Sequence, residues 1–189
     1  MIIPILAYGD PILKNVSVDI ALDLPDLQTL IDDMFDTMNE AGGVGLAAPQ
    51  IGKNLRLFIT DAEGLEKENI KDFKKVFINP VLLEEEGEKW DFNEGCLSIP
   101  GIREDISRKQ NLRIKYYDRN GQLLEEVYSG VRARIIQHEM DHLNGVLFTD
   151  LISPLKKRLL KSKLLNISLG NVEVSYKMRF PVAARKGNR

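Results

Sequence analysis

The chain contains two histidines, His138 and His142, four residues apart in Gln137-His138-Glu139-Met140-Asp141-His142. On a helix that spacing turns through about 400° and advances about 6 Å, so both imidazoles leave the same face. Two ring nitrogens so placed reach one metal ion. The segment is therefore expected to be a helix, and the rest of the fold is expected to pack around it. Glu139 stands beside the first histidine, where it can lean over the open side of such an ion and take a proton from water. The ordinary alternative is a pair of solvated histidines on an amphipathic helix. A glutamate in this position makes the pattern rarer by chance and favours a metal.

A catalytic zinc or iron site needs three protein ligands and one open position. Cys96, the single cysteine, lies in Glu94-Gly95-Cys96-Leu97-Ser98, bounded by Gly95 and the Pro100-Gly101 turn. A lone cysteine excludes an intrachain disulfide and is more often a small buried apolar residue than a ligand. It could also act as a nucleophile paired with a histidine, but that leaves Glu139 and the second histidine without roles. A third stretch, Gly42-Gly43-Val44-Gly45-Leu46-Ala47-Ala48-Pro49-Gln50, lacks the lysine and spacing of a phosphate loop. Its small residues let a substrate backbone come close. Gln50 offers an amide donor to a developing oxyanion.

The periodicities describe an α+β chain with strands in the middle and helices before and after. Leu27, Leu30, Ile31, Met34, Phe35 and Met38 follow helical spacing after Asp23-Leu24-Pro25, and Gly42-Gly43 stops the run. Strands are expected over 55–60 and 76–83, the second with Pro80 marking an edge or a bulge. Two more, 112–116 and 123–128, flank the hairpin dipeptide Asn120-Gly121. Ser129 can cap the histidine helix, Asn144-Gly145 can end it, and Ser153-Pro154 starts another helix reaching about Leu165. After Gly170, the alternation of Val172, Val174 and Tyr176 predicts a short final strand. No repeat or linker divides residues 1–189, which read as one domain with a basic C-terminal extension over about 166–189.

The net charge of −2 argues against a surface built to grip DNA, but it is unevenly spread. Residues 153–189 carry +9 and residues 1–152 carry −11. The start, Met1-Ile2-Ile3-Pro4-Ile5-Leu6, has no basic n-region and is interrupted by Asp10-Pro11, and no apolar run approaches the roughly 18 residues of a membrane span. A cytoplasmic protein that does not enter membranes is the expectation.

Taken together, the glycine-rich stretch over 43–50, Glu-Gly-Cys-Leu-Ser over 94–98 and Gln-His-Glu-Met-Asp-His over 137–142 stand in the order of the motifs of the peptide deformylase family. The chain resembles that family from about Tyr8-Gly9-Asp10-Pro11 to Ser153-Pro154-Leu155. The resemblance implies a fold with antiparallel and mixed sheets around a central metal-binding helix. It also implies hydrolysis of the formyl group from N-formylmethionyl nascent peptides.

The family's pattern makes Cys96, His138 and His142 the metal ligands and Glu139 the general acid/base. Gln50 and the Leu97 N–H become the donors to the formyl oxygen, and the Gly45 backbone pairs with the peptide. Gly43, Val44 and Arg103 fall on the substrate side. Val131 and Ile135 share the face of His138 and, with Val44 and Leu97, could line a methionine pocket or simply pack the core. One divalent ion is implied, iron(II) in vivo, with zinc, nickel or cobalt as alternatives. Some members dock on the ribosome through a basic C-terminal helix, but the strand-like pattern after Asn166 departs from them. An H-E-x-x-H metallopeptidase, which would want a further downstream carboxylate or histidine, and a non-catalytic metal-binding module, which would not need Glu139, are the competing classes.

Overall fold

The computed structural model describes residues 1–62, 70 and 73–181. The strands are β1 (Ile5–Leu6), β2 (Gly45–Ala47), β3 (Leu57–Asp61), β4 (Lys74–Cys96), β5 (Ile99–Tyr117), β6 (Leu123–Ser129) and β7 (Met178–Arg179). The helices are α1 (Leu27–Glu40), α2 (Gly130–Leu143) and α3 (Pro154–Ser168). Strands β2-β3-β4-β5-β6 form an antiparallel sheet in that order, and β1 pairs with β7 in parallel.

The long β4–β5 hairpin dominates the sheet. The sequence pattern reveals only its apolar beginning, 76–83, because residues 84–89 are rich in glutamate and poor in strand propensity. They are held as strand by the ladder to β5, and their side chains face solvent. Pro80 falls where the register slips between Ile78 and Val81, the bulge that a missing N–H requires. Beside it, Asn79 adopts φ 49 and its amide both accepts from Ile20 N–H and donates to Ile20 C=O. Asn120-Gly121 makes the β5–β6 hairpin turn, with Gly121 at φ 77.

Helix α2 packs its apolar residues Ala133, Ile136, Met140 and Leu143 onto Phe58, Phe77, Leu112, Ile114 and Tyr116 of the sheet. A second core, built from Ile31, Met34 and Met38 of α1 with Leu46, Leu57 and Ile59, sits around β2 and β3. A third joins Ile99, Ile102 and Ile106 of β5 to Phe148 and to Leu164 and Ile167 of α3. That last contact carries α3 on to Ser168, beyond the expected end near Leu165. Ser153 caps α3 as expected, its hydroxyl accepting from Lys156 N–H. Ser129 precedes α2 without a side-chain cap bond.

The final strand is present but displaced. Residues 171–176 form no ladder, and the pairing falls at β7. Val172, Val174 and Tyr176 do alternate inward, but the segment is fastened by a side chain, Tyr176 Oη donating to Leu97 C=O, rather than by a neighbouring strand. Arg185, Lys186 and Arg189 of the basic extension lie outside the described residues.

Candidate metal centre and cleft

Helix α2 and the end of β4 bring the three expected ligands together. The nearest donor atoms of Cys96, His138 and His142 all lie within 4.8 Å of one another. Cys96 Sγ is 3.3 Å from His142 Nε2. Glu94 occupies Nδ1 of His138 at 3.0 Å, which leaves Nε2 free for the site. His142 is almost completely buried and its Nδ1 has no hydrogen-bond partner among the described residues. Burial, followed by the repulsion of His138, pulls its pKa well down and keeps it in the neutral form a ligand requires. For His138 burial works the same way, but Cys96 and Glu94 outweigh it and raise the pKa. One thiolate and two imidazoles suit a single divalent late first-row ion, so the residues present fit the metal implied by the sequence.

Glu94 is the residue that sequence reasoning left without a role. It is buried at the end of β4, where Arg108 forms a two-pronged contact with its carboxylate (2.7 and 3.0 Å) and Arg134 Nη1 approaches at 2.9 Å. Arg108 also reaches Asp141 of the histidine motif at 2.7 Å. Arg134, 2% exposed, is held over the Trp90 ring with its guanidinium carbon 4.8 Å from the centroid. Burial alone would raise the Glu94 carboxyl, but His138 and Arg108 hold it well below the usual carboxylate range. The charged carboxylate therefore orients His138 as a ligand. The available signal was its place at the head of Glu-Gly-Cys-Leu-Ser.

Glu139 projects from α2 against β2. One of its carboxylate oxygens is buried without a hydrogen-bond partner among the described residues. Burial lifts its carboxyl to about 7, an effect opposed by His138 and reinforced by Glu94 and Asp141. A Cβ placed on Gly45 would stand 2.5 Å from Glu139 Oε1, so the glycine is what admits the carboxylate. Gln50 is fixed by Ala47 N–H donating to its Oε1 at 2.8 Å. Its Nε2 consequently faces Cys96 Sγ (3.5 Å) and Ser98 Oγ (3.3 Å), the side where a carbonyl oxygen would need a donor.

These groups open into a cleft of about 700 Å³. Every residue expected on the substrate side lines it: Gly43, Val44, Gly45, Val131, Ile135 and Arg103, together with Gln50 and Leu97. Val131 and Ile135 also pack against the first core, so the pocket floor and the core are one surface. Arg103 is tied to Asn93, its Nε donating to Oδ1 at 2.8 Å and Nη2 to the backbone carbonyl at 2.6 Å. The cleft has a further wall, 173–176, that the sequence reading did not place there. Burial and the neighbouring Cys96 push the Tyr176 phenol up to about 12, so it remains a donor to Leu97.

A thiolate and two imidazoles with a buried carboxylate beside them, opening into a mainly apolar cleft, define a metal-dependent hydrolase. The polypeptide deformylase family model matches residues 2–158. A peptide deformylase of Christiangramia forsetii is 54% identical over 194 residues, covering 98% of this chain and 99% of that protein. The crystal structure of a peptide deformylase from Legionella pneumophila superposes with a TM-score of 0.78 at 41% identity, covering 88% of this chain and 95% of that one. A Met-Ala-Ser-bound class I type b peptide deformylase from Acinetobacter baumannii gives 0.76 at 36%, covering 80% and 99%. The chain belongs to the peptide deformylase family, hydrolases that remove the N-formyl group from nascent peptides.

Proposed function

We propose that Cys96, His138 and His142 hold one divalent ion, iron(II) in the cell, and that Glu139 moves the proton as the formyl amide of an N-formylmethionyl chain is hydrolysed. The convergence of the three ligand groups beside the buried Glu139 carboxylate carries this reading. When bound, the ion supplies Lewis-acid polarisation of the formyl oxygen and a lowered pKa for the attacking water. A thiolate among the ligands favours a soft ion, in keeping with iron(II), and zinc, nickel and cobalt share the same donor preference.

Glu139 accepts a proton from the attacking water and returns it to the leaving amine nitrogen. Gln50 Nε2 and the Leu97 N–H donate to the oxygen that gains charge. The N-terminal methionine rests on Val131, Ile135, Val44 and Leu97, and its thioether suits such an unbranched apolar slot. Among the described residues β2 is the end strand of the sheet, and Gly45 at its start, with Gly43 and Val44 just before it, faces the cleft, so the substrate backbone can pair there as an added strand. The Met-Ala-Ser ligand of the Acinetobacter relative supports a peptide occupant.

Formate release from a formyl-Met peptide, measured with anaerobically purified protein, tests the reading. Glu139→Gln should retain the ion and lose about 10²–10⁴-fold in rate. A near wild-type rate with metal intact contradicts the assignment.

The substrate is a newly made chain, so we infer that the protein works in the cytoplasm, close to the ribosome. Helix α3 supports a weak docking role. Lys156 and Lys157 are tied to Glu104 and Asp150, but Arg158, Lys161 and Lys163 are exposed and make no ion pair among the described residues. No helix among the described residues is long and apolar enough to cross a membrane.

A further inference from the structure

We propose that the segment 173–176, beyond α3, is a working wall of the substrate cleft. Within it, Tyr176 is a positioning residue that holds the Leu97–Ser98 turn and thereby aims the Leu97 N–H. The proposal rests on the deformylase reading above, in which that N–H donates to the formyl oxygen.

The turn joins two long strands through two residues, and its geometry is set by what grips it. Cys96 is fixed from one side by pairing with Ile99. Ser98 is held twice, its carbonyl accepting from Tyr8 N–H at 2.8 Å and its hydroxyl from Gln50 Nε2 at 3.3 Å. Leu97 is tethered by the Tyr176 hydroxyl, which donates to its carbonyl oxygen at 2.7 Å. With the preceding residue fixed in the ladder, pinning this carbonyl leaves the Leu97 N–H little room to swing. A donor aimed before the reaction begins is worth more than one that must reorganise during it.

The tyrosine is itself held in place from outside the site. Ile5 N–H donates to Lys177 C=O and Ala7 N–H to Arg179 C=O, both at 2.9 Å, on either side of the β1–β7 pairing. The ring packs with Leu97 against the α1 core. Residues 173–176 line the cleft, yet the hydrolytic steps described above use none of them.

Tyr176→Phe keeps the ring and removes the hydroxyl; Tyr176→Ala removes both. In the full-length, metal-loaded protein, the Phe variant should lose about 5- to 20-fold in kcat on formyl-Met-Ala, with KM within about twofold, because stabilisation specific to the transition state is lost. Amide hydrogen exchange over 96–98 should accelerate in the same variant. The Ala variant should additionally raise KM, because part of the wall is gone. Activity of the wild type tests the deformylase reading by itself. An active wild type with a Phe variant unchanged in kcat, KM and exchange overturns the positioning role alone. A Phe variant whose lower activity merely tracks a lower fraction of metal-loaded protein overturns it as well.

Discussion

Gly45 and Glu139 occupy the same small volume: a methyl group on the first would lie 2.5 Å from a carboxylate oxygen of the second. The backbone of an edge strand and the side chain of a helix thus meet where only hydrogen fits. A Cβ cannot be accommodated without moving the carboxylate or the strand. Gly45→Ala should therefore displace Glu139, lowering kcat/KM by about 10- to 100-fold, the scale expected when a reacting group is misplaced by about an ångström. Metal content should stay near wild type, because the three ligands are not touched. Elemental analysis beside the rate measurement checks both halves.

Glu94→Gln should weaken metal binding by about 10- to 100-fold, since the residue that orients His138 loses its charge. It also leaves Arg108 and Arg134 facing a neutral partner in a buried setting, which costs about 3–5 kcal/mol when such a pair is broken outright. Retention of the amide's hydrogen bonds should keep the loss toward the lower end. Competition with a chelator reads the first effect and urea unfolding the second.

A second carboxylate gives stability its pH dependence away from the metal. Burial would raise the Glu126 carboxyl, but the hydroxyls of Tyr116 and Tyr128, and Lys75 at 3.0 Å, outweigh it and lower its pKa. A depressed folded-state pKa means the contribution is complete above the ordinary value of 4.5 and is lost as pH falls through the folded value. Glu126→Gln should cost about 1 kcal/mol at neutral pH, modest because the side chain is 34% exposed. That gap should narrow as pH drops below about 4.5. Thermal melts of both proteins from pH 7 to pH 3 follow it.

Arg158, Lys161 and Lys163 should contribute to ribosome association through contacts with RNA phosphates. Co-sedimentation of the wild type should fall steeply between low and moderate salt as counterions are released. The triple alanine variant should pellet less at low salt while hydrolysing peptides normally. Equal pelleting of the two proteins removes α3 from the docking role.

The proposed metal ligands were legible because histidine and cysteine are rare in this chain and each falls within a motif. Helix spacing alone placed the imidazoles of His138 and His142 on one face, and the structure puts them there. Pro80 and Asn120-Gly121 were legible because proline and glycine constrain the backbone locally. Glu94 was not, since one glutamate among many carries no local mark of burial; only the convergence of β4, β5 and α2 supplies its two arginines and its histidine. The extent of β4 was hidden for a similar reason, because residues 84–89 become strand through pairing with β5. Tyr176 reads as an alternating strand residue, and its bond to Leu97 depends on a return of the chain that no local pattern announces.

The place of β2 at the end of the sheet, with 43–45 turned to the cleft, bears on breadth of substrate. A free strand edge offers amides and carbonyls, and every polypeptide presents the same groups in return whatever its side chains. In the proposed reading, recognition by that edge is therefore indifferent to sequence, and discrimination falls to the proposed slot beside the metal site, which would inspect a single residue. An enzyme arranged this way can accept thousands of different chains while remaining strict about how each one begins.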